Sequence, residues 1–97
     1  MKTYYIKYPR DFANEYDLCY CETSEERKKA EENGWERISR KDAINNCRME
    51  ERRRECDPSF AFYAPTQIIP FSLVGKEYLP EDVGYSLSDD GFIWEKR

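Results

Sequence analysis

Aromatic and β-branched residues dominate the first stretch of the chain, from Thr3 to Tyr8, and Pro9 follows it. Residues of these types favour extended backbone, so this stretch is predicted to be a strand. A second strand is predicted from Tyr16 to Glu22, where leucine and tyrosine alternate with two cysteines. Because both faces of this second strand are partly apolar, we expect it to lie in the interior of a sheet.

A charged helix is predicted after the second strand. Thr23 can cap it, since a glutamate three residues later completes a capping box. The helix should run to about Asn33, and Gly34 can adopt the left-handed conformation that ends many helices. Trp35 and Ile38 are the only apolar residues between this helix and the next, so both are predicted to be buried.

A second charged helix is predicted from about Arg40 to Glu55, with Ser39 as its N-cap and Asp57-Pro58 at its end. Its apolar face consists of Ala43, Ile44 and Cys47. The second half of the helix is almost wholly charged, so we expect it to project beyond the core.

The last third of the chain is richer in proline and aromatic residues than the two charged helices before it. Three prolines between Pro58 and Pro70 exclude a helix and favour an extended segment whose aromatic rings lie across the sheet or the helices. Phe71 to Val74 is predicted to form a short strand. Asp90-Gly91 lies between two alternating apolar runs, at Tyr85–Leu87 and Phe92–Glu95, which predicts a tight β-hairpin.

These elements predict an α+β fold: a small antiparallel sheet with two charged helices and a C-terminal β-hairpin. The length of 97 residues fits a single domain, residues 1–97. Aromatic residues make up 15% of the chain, which is more than disordered chains usually contain, so a folded domain is expected.

The composition also limits the chemistry. The chain contains no histidine, which removes the commonest general base and most nucleophilic triads. We expect no catalytic residue, no cofactor and no enzymatic activity. No apolar run approaches the ~18 residues of a membrane helix, and Met1–Lys7 has no signal-peptide core. The expected location is cytoplasmic, without a membrane partner.

Four cysteines are present: Cys19, Cys21, Cys47 and Cys56. In a cytoplasmic protein they are expected to be reduced and to act as small buried hydrophobes, with no metal bound. Tetrahedral zinc would need all four, and the last two are nine residues apart on one helix, about half a turn out of phase. A zinc-stabilised structural module stays open as an alternative.

The charged half of the second helix is the predicted partner-binding site. Its residues are Arg48, Glu51, Arg52, Arg53 and Arg54. They lie beyond the apolar face, so stability does not need them, and arginine is enriched in binding hot spots. The alternative is that these residues form a solvated helix face with no binding role.

A nucleic-acid-binding accessory factor, using Arg52, Arg53, Arg54 and nearby tyrosines, is a second functional hypothesis. A basic stripe on the second helix would favour it, whereas a continuous acidic face would favour a protein that blocks a basic groove. The net charge of −4 argues against tight binding to duplex DNA. The oligomeric state stays open.

Residues 33–43, Asn-Gly-Trp-Glu-Arg-Ile-Ser-Arg-Lys-Asp-Ala, and residues 57–65, Asp-Pro-Ser-Phe-Ala-Phe-Tyr-Ala-Pro, carry a resemblance. Through them, residues 23–65 resemble a set of short uncharacterised accessory proteins from phages and conjugative elements of gut Firmicutes. That set implies no catalytic residues. It implies a mobile genetic element as context, which is also the source of anti-CRISPR proteins, many of them small, acidic and non-catalytic.

The leading hypothesis is therefore a non-enzymatic binding protein of a mobile element that inhibits or modulates a host macromolecule. The most specific form of this hypothesis is an anti-CRISPR or similar counter-defence inhibitor. The expected partner is a host protein or ribonucleoprotein, such as a nuclease.

Overall fold

The computed structural model describes residues 1–7, 18–57, 67–76 and 79–97, without the side chain of Arg54. The predicted extended segment with Phe60, Phe62 and Tyr63 lies outside these residues up to position 66. So do the end of the first predicted strand and the start of the second.

The α+β class is confirmed by two helices, a four-stranded sheet and a separate hairpin. The strands are β1 (Thr3–Lys7), β2 (Leu18–Cys21), β3 (Trp35–Ile38), β4 (Ile68–Pro70), β5 (Tyr85–Leu87) and β6 (Trp94–Lys96). The helices are α1 (Ser24–Glu32) and α2 (Arg40–Cys56). Short 3₁₀ helices span Phe71–Leu73 and Pro80–Val83.

The strand order in the main sheet is β3-β1-β2-β4, so β2 is an interior strand as predicted. β1 pairs antiparallel with both β2 and β3. β2 and β4, however, run parallel. The sheet is thus mixed rather than antiparallel throughout. A parallel neighbour is possible here because both helices and β3 intervene between β2 and β4, giving the long connection that a parallel pair requires.

Two residue runs take a different structure from the one their sequence predicted. Trp35–Ile38 was expected only to anchor the helices, but it forms the edge strand β3. Trp35 is buried, at 6% exposure, as predicted. Ile38 is only half-buried, because it lies on the edge strand. The prediction of a strand from Phe71 is also wrong, because β4 ends at Pro70 and Phe71–Leu73 forms a 3₁₀ helix.

The core lies on both faces of the sheet, with one helix against each. Alternation along β1 and β2 puts Tyr4, Ile6, Leu18 and Tyr20 in the cluster that α2 covers. The opposite face carries Tyr5, Cys19 and Cys21, and α1 reaches that cluster through Ala30. Because α1 has this single apolar residue, it lies on the surface and covers its face only in part.

The caps predicted for α1 are present. The Thr23 hydroxyl accepts a hydrogen bond from the amide of Glu26 at 3.2 Å, and the Glu26 carboxylate accepts one from the amide of Thr23 at 3.4 Å. This is the reciprocal capping box. Gly34, just after the helix, has a φ of +87°, which a side chain would strain.

The predicted C-terminal hairpin is formed by β5 and β6, but residues 88–93 connect the two strands, so the tight turn predicted between them is wrong. Its turn is closed by a hydrogen bond from the Gly91 amide to the Ser88 carbonyl at 2.9 Å. The hairpin is joined to the free side of β4, where the Ile68 amide donates to the Phe92 carbonyl at 2.7 Å. The Tyr20 hydroxyl adds a bond to the Trp94 carbonyl at 2.5 Å. The hairpin is thereby fixed to the main sheet.

Candidate functional site

The candidate site lies on α2, which begins at a well-formed cap. The Ser39 hydroxyl accepts a hydrogen bond from the amide of Asp42 at 3.1 Å, as predicted. From this cap the helix runs for 17 residues, about 25 Å. At this length its first turns can pack on the sheet while its later turns present side chains to solvent.

The inner face of α2 contains the predicted apolar residues. Ala43, Ile44 and Cys47 are all buried against the sheet. Glu50 is buried too, at 7% exposure. The expectation that the whole second half would project beyond the core is wrong at this residue, because Glu50 follows Cys47 by three positions and so falls on the same face.

The opposite side of α2 is exposed and basic. We call Arg48, Met49, Arg52 and Arg53 the α2 outer face; all four side chains are exposed. At 100° per residue they span an arc of about 140° opposite Cys47. Met49 is 61% exposed, which places an apolar thioether among three guanidinium groups. None of these four side chains belongs to either core cluster.

Three of the five predicted partner-binding residues therefore come together. Arg48, Arg52 and Arg53 lie on the outer face, Glu51 is exposed on its flank, and the Arg54 side chain is outside the described residues. Sequence reasoning missed Met49. A signal for it existed, because Met49 precedes Arg53 by four positions, just as Arg48 precedes Arg52.

The cysteines do not converge. Cys19 and Cys21 lie in the core on the α1 side of the sheet, whereas Cys47 lies in the core on the α2 side. Cys56 is exposed at the end of α2. A four-cysteine zinc site cannot form across the sheet, and no cluster of three or more metal-ligating side chains occurs among the described residues.

The two thiols on the α1 side are poorly reactive groups at neutral pH. Burial raises the pKa of the Cys21 thiol to about 11, and the Glu26 carboxylate contributes in the same direction. Burial also raises the pKa of the Cys19 thiol, with a further contribution from Cys21. Both groups are thus protonated, and only a thiolate would act as a nucleophile or metal ligand.

A groove of about 1350 Å³ lies at the end of the sheet where β2 and β3 lead into the helices. Two of its cations already have acidic partners from the C-terminal hairpin: the Lys2 ammonium lies 3.5 Å from Glu95, and the Arg40 guanidinium lies 3.4 Å from Asp90. Both helix N-termini at this groove are capped by side chains and carry carboxylates in their first turns. The groove is therefore not an anion site of the kind that bare helix N-termini form.

No protein-family model matches the chain, and neither a curated protein nor a solved structure is similar to it. In the parts of the chain that the structure describes, no helix is both long enough and apolar enough to cross a membrane. The geometry of α2 is therefore the basis for a functional assignment.

Proposed function

We propose that the protein is a non-enzymatic binding protein that contacts an acidic surface of a partner protein through the α2 outer face. The observation that carries this proposal is the exposure of Arg48, Met49, Arg52 and Arg53 on one side of a helix whose other side is buried. None of the four side chains belongs to either core cluster, so all four lie at the protein surface on this side of the helix.

The residue types favour a protein partner. Arginine and methionine are both enriched in protein interfaces relative to the rest of the surface. An exposed methionine between arginines offers an apolar contact that can be desolvated, while the guanidinium groups supply directed hydrogen bonds to carboxylates. The basic face on a protein of net charge −4 would also orient the molecule as it approaches an acidic patch.

The biological role proposed for this contact is inhibition or modulation of a host macromolecule by a mobile genetic element, and it rests on the sequence rather than on the chemistry of the α2 outer face. Its sharpest version is an anti-CRISPR or similar counter-defence inhibitor, with a host protein or ribonucleoprotein such as a nuclease as partner. The resemblance of residues 23–65 to accessory proteins of phages and conjugative elements, the small size and the acidic composition support this context.

Nucleic-acid binding is the second candidate, because the α2 outer face is the basic stripe that such a function would need. The small number of arginines on this face argues against nucleic-acid binding as the main function. Three arginines would neutralise about three phosphates, whereas a strongly salt-dependent DNA-binding protein makes roughly 6–10 phosphate contacts. The overall negative charge further opposes approach to a polyanion.

Affinity capture from a host extract tests the proposal with matched variants. Arg48→Ala with Arg52→Ala removes two exposed cations from the outer face. Lys29→Ala with Lys96→Ala removes the same charge from other exposed positions. If a hot-spot arginine contributes about 2 kcal/mol, affinity for the captured protein should fall by roughly 30-fold per residue in the first variant.

The control variant should bind the captured protein as the wild type does, and both variants should melt at the wild-type temperature. Equal capture by the two variants would show that the outer face is not the binding surface. A short duplex DNA, titrated at several salt concentrations, decides between the candidates. Tight wild-type binding with a steep salt dependence, lost in the Arg48/Arg52 variant, would favour nucleic acid instead.

A further inference from the structure

The outer edge of β3 has no paired strand among the residues that the structure describes. β3 is the terminal strand of the main sheet, paired on one side with β1 through four residue positions. No described strand pairs with its other side. Glu36 and Arg37, at its centre, are both exposed. Such an edge presents main-chain donors and acceptors to any extended segment that approaches it.

Grooves flank this edge. One of about 490 Å³ lies between α1 and the sheet, with Tyr5 and Arg37 on the sheet side. The larger groove at the end of the sheet also reaches Arg37. Side chains of an added strand alternate between the two faces of a sheet, so space beside the edge is what such a strand needs.

A second copy of this chain is a poor occupant. Two antiparallel edge strands related by a two-fold axis keep the faces of their sheets aligned, so residues directly opposite each other must point to the same face. The central pair is then either Glu36 with Glu36 or Arg37 with Arg37. Like charges directly opposite each other destabilise a strand pair. The charges at this edge thus oppose self-pairing.

We propose that the outer edge of β3 binds an extended segment of another protein by antiparallel strand addition. The segment carries an acidic residue opposite Arg37, followed by a basic residue opposite Glu36. Apolar residues flank this pair, opposite Ile38 and Trp35. This order follows from the direction of the added strand, which runs from Ile38 towards Trp35. The proposal is independent of the α2 outer face.

A tethered peptide tests this proposal. A Thr-Val-Glu-Lys-Val-Thr segment is fused after Arg97 through a Gly/Ser linker of about 40 residues, whose mean reach of roughly 35 Å matches the 40 Å long dimension of the molecule. Tethering raises the effective peptide concentration to the millimolar range. The matched control carries Thr-Val-Lys-Glu-Val-Thr.

Main-chain amide exchange at residues 35–38, followed by NMR, is the readout. The Glu-Lys fusion should slow exchange at an amide of β3, by roughly fivefold more than the Lys-Glu fusion. Glu36→Lys with Arg37→Glu should reverse this preference, and since both side chains are exposed the fold should persist. Unchanged β3 amides in both fusions, or equal protection by both, would overturn the proposal.

Sedimentation tests the assignment of the occupant. The wild-type protein should sediment without forming a dimer through β3. The Glu36→Thr, Arg37→Thr variant should form a dimer as its concentration rises, and amide exchange should show that this dimer protects β3. A wild-type dimer through β3 would overturn the choice of a foreign segment.

Discussion

Replacing Trp35 with alanine should remove a large part of the stability of the fold. Trp35 is 6% exposed in the core cluster on the α1 side. Its ring meets Phe71 edge-on, with centroids 6.5 Å apart and planes at 84°. The Lys7 ammonium lies 5.8 Å from the indole centroid, on the same face of the sheet. The side chain therefore joins the edge strand, the sheet face and the 3₁₀ helix after β4.

The expected loss follows from the buried area. A large aromatic residue buries roughly 150–250 Å², which at about 25 cal/mol per Å² amounts to about 4–6 kcal/mol. Alanine recovers part of this burial but leaves a cavity, so a net loss of about 3–5 kcal/mol is expected. A domain of this size has a total stability of about 5–15 kcal/mol. The Trp35→Ala variant should therefore retain only a small free energy of unfolding.

Urea denaturation followed by far-UV circular dichroism measures this loss. Arg37→Ala is the matched control in the same strand, because its side chain is exposed and should change stability by less than about 0.5 kcal/mol. An unchanged midpoint for Trp35→Ala, or an equal loss in the control, would refute the assignment of Trp35 to the core.

Four further outcomes are expected. Tyr20→Phe removes the hydroxyl that bonds the Trp94 carbonyl, so denaturation should show a loss of about 1–2 kcal/mol and β6 amides should exchange faster; unchanged exchange in β6 would contradict this contact. Thr23→Ala should cost about 0.5–2 kcal/mol by breaking the capping box, and a neutral effect in denaturation would count against it. The Cys21 thiol ionises at a higher pH in the folded state than in the unfolded state, so the free energy of unfolding should fall as the pH rises from 9 towards 11; a flat pH dependence would argue against its burial. Alkylation of the native protein, followed by mass spectrometry, should modify Cys56 first, and equally rapid modification of Cys21 would contradict the buried position.

Local sequence signals predicted the helices well. Thr23 and Ser39 are the caps that their side chains and the residues after them indicated, and both make the expected hydrogen bonds. Asp90-Gly91 likewise marked the hairpin turn. These features depend on neighbours within a few residues, so a single sequence contains most of the information that fixes them.

Features that depend on distant partners were not predictable in the same way. Trp35–Ile38 becomes a strand because β1 pairs with it, and nothing in its own four residues alternates clearly. The parallel pairing of Ile68–Pro70 with β2 depends on a connection that passes through both helices. On α2, the helical period indicated the exposed arginines, but the burial of Glu50 depends on packing that the local pattern does not show.

The proposal that the α2 outer face binds a partner protein can be tested most directly by site-specific photo-crosslinking. A p-benzoylphenylalanine residue is placed at position 49 on the outer face, or at the exposed position 83, away from both grooves, as the control. After irradiation in a host extract, the position-49 protein should form a covalent adduct with one host protein that excess unlabelled wild type suppresses, and the control should not. Crosslinking from position 83 without crosslinking from position 49, or adducts to nucleic acid alone, would contradict the proposed function.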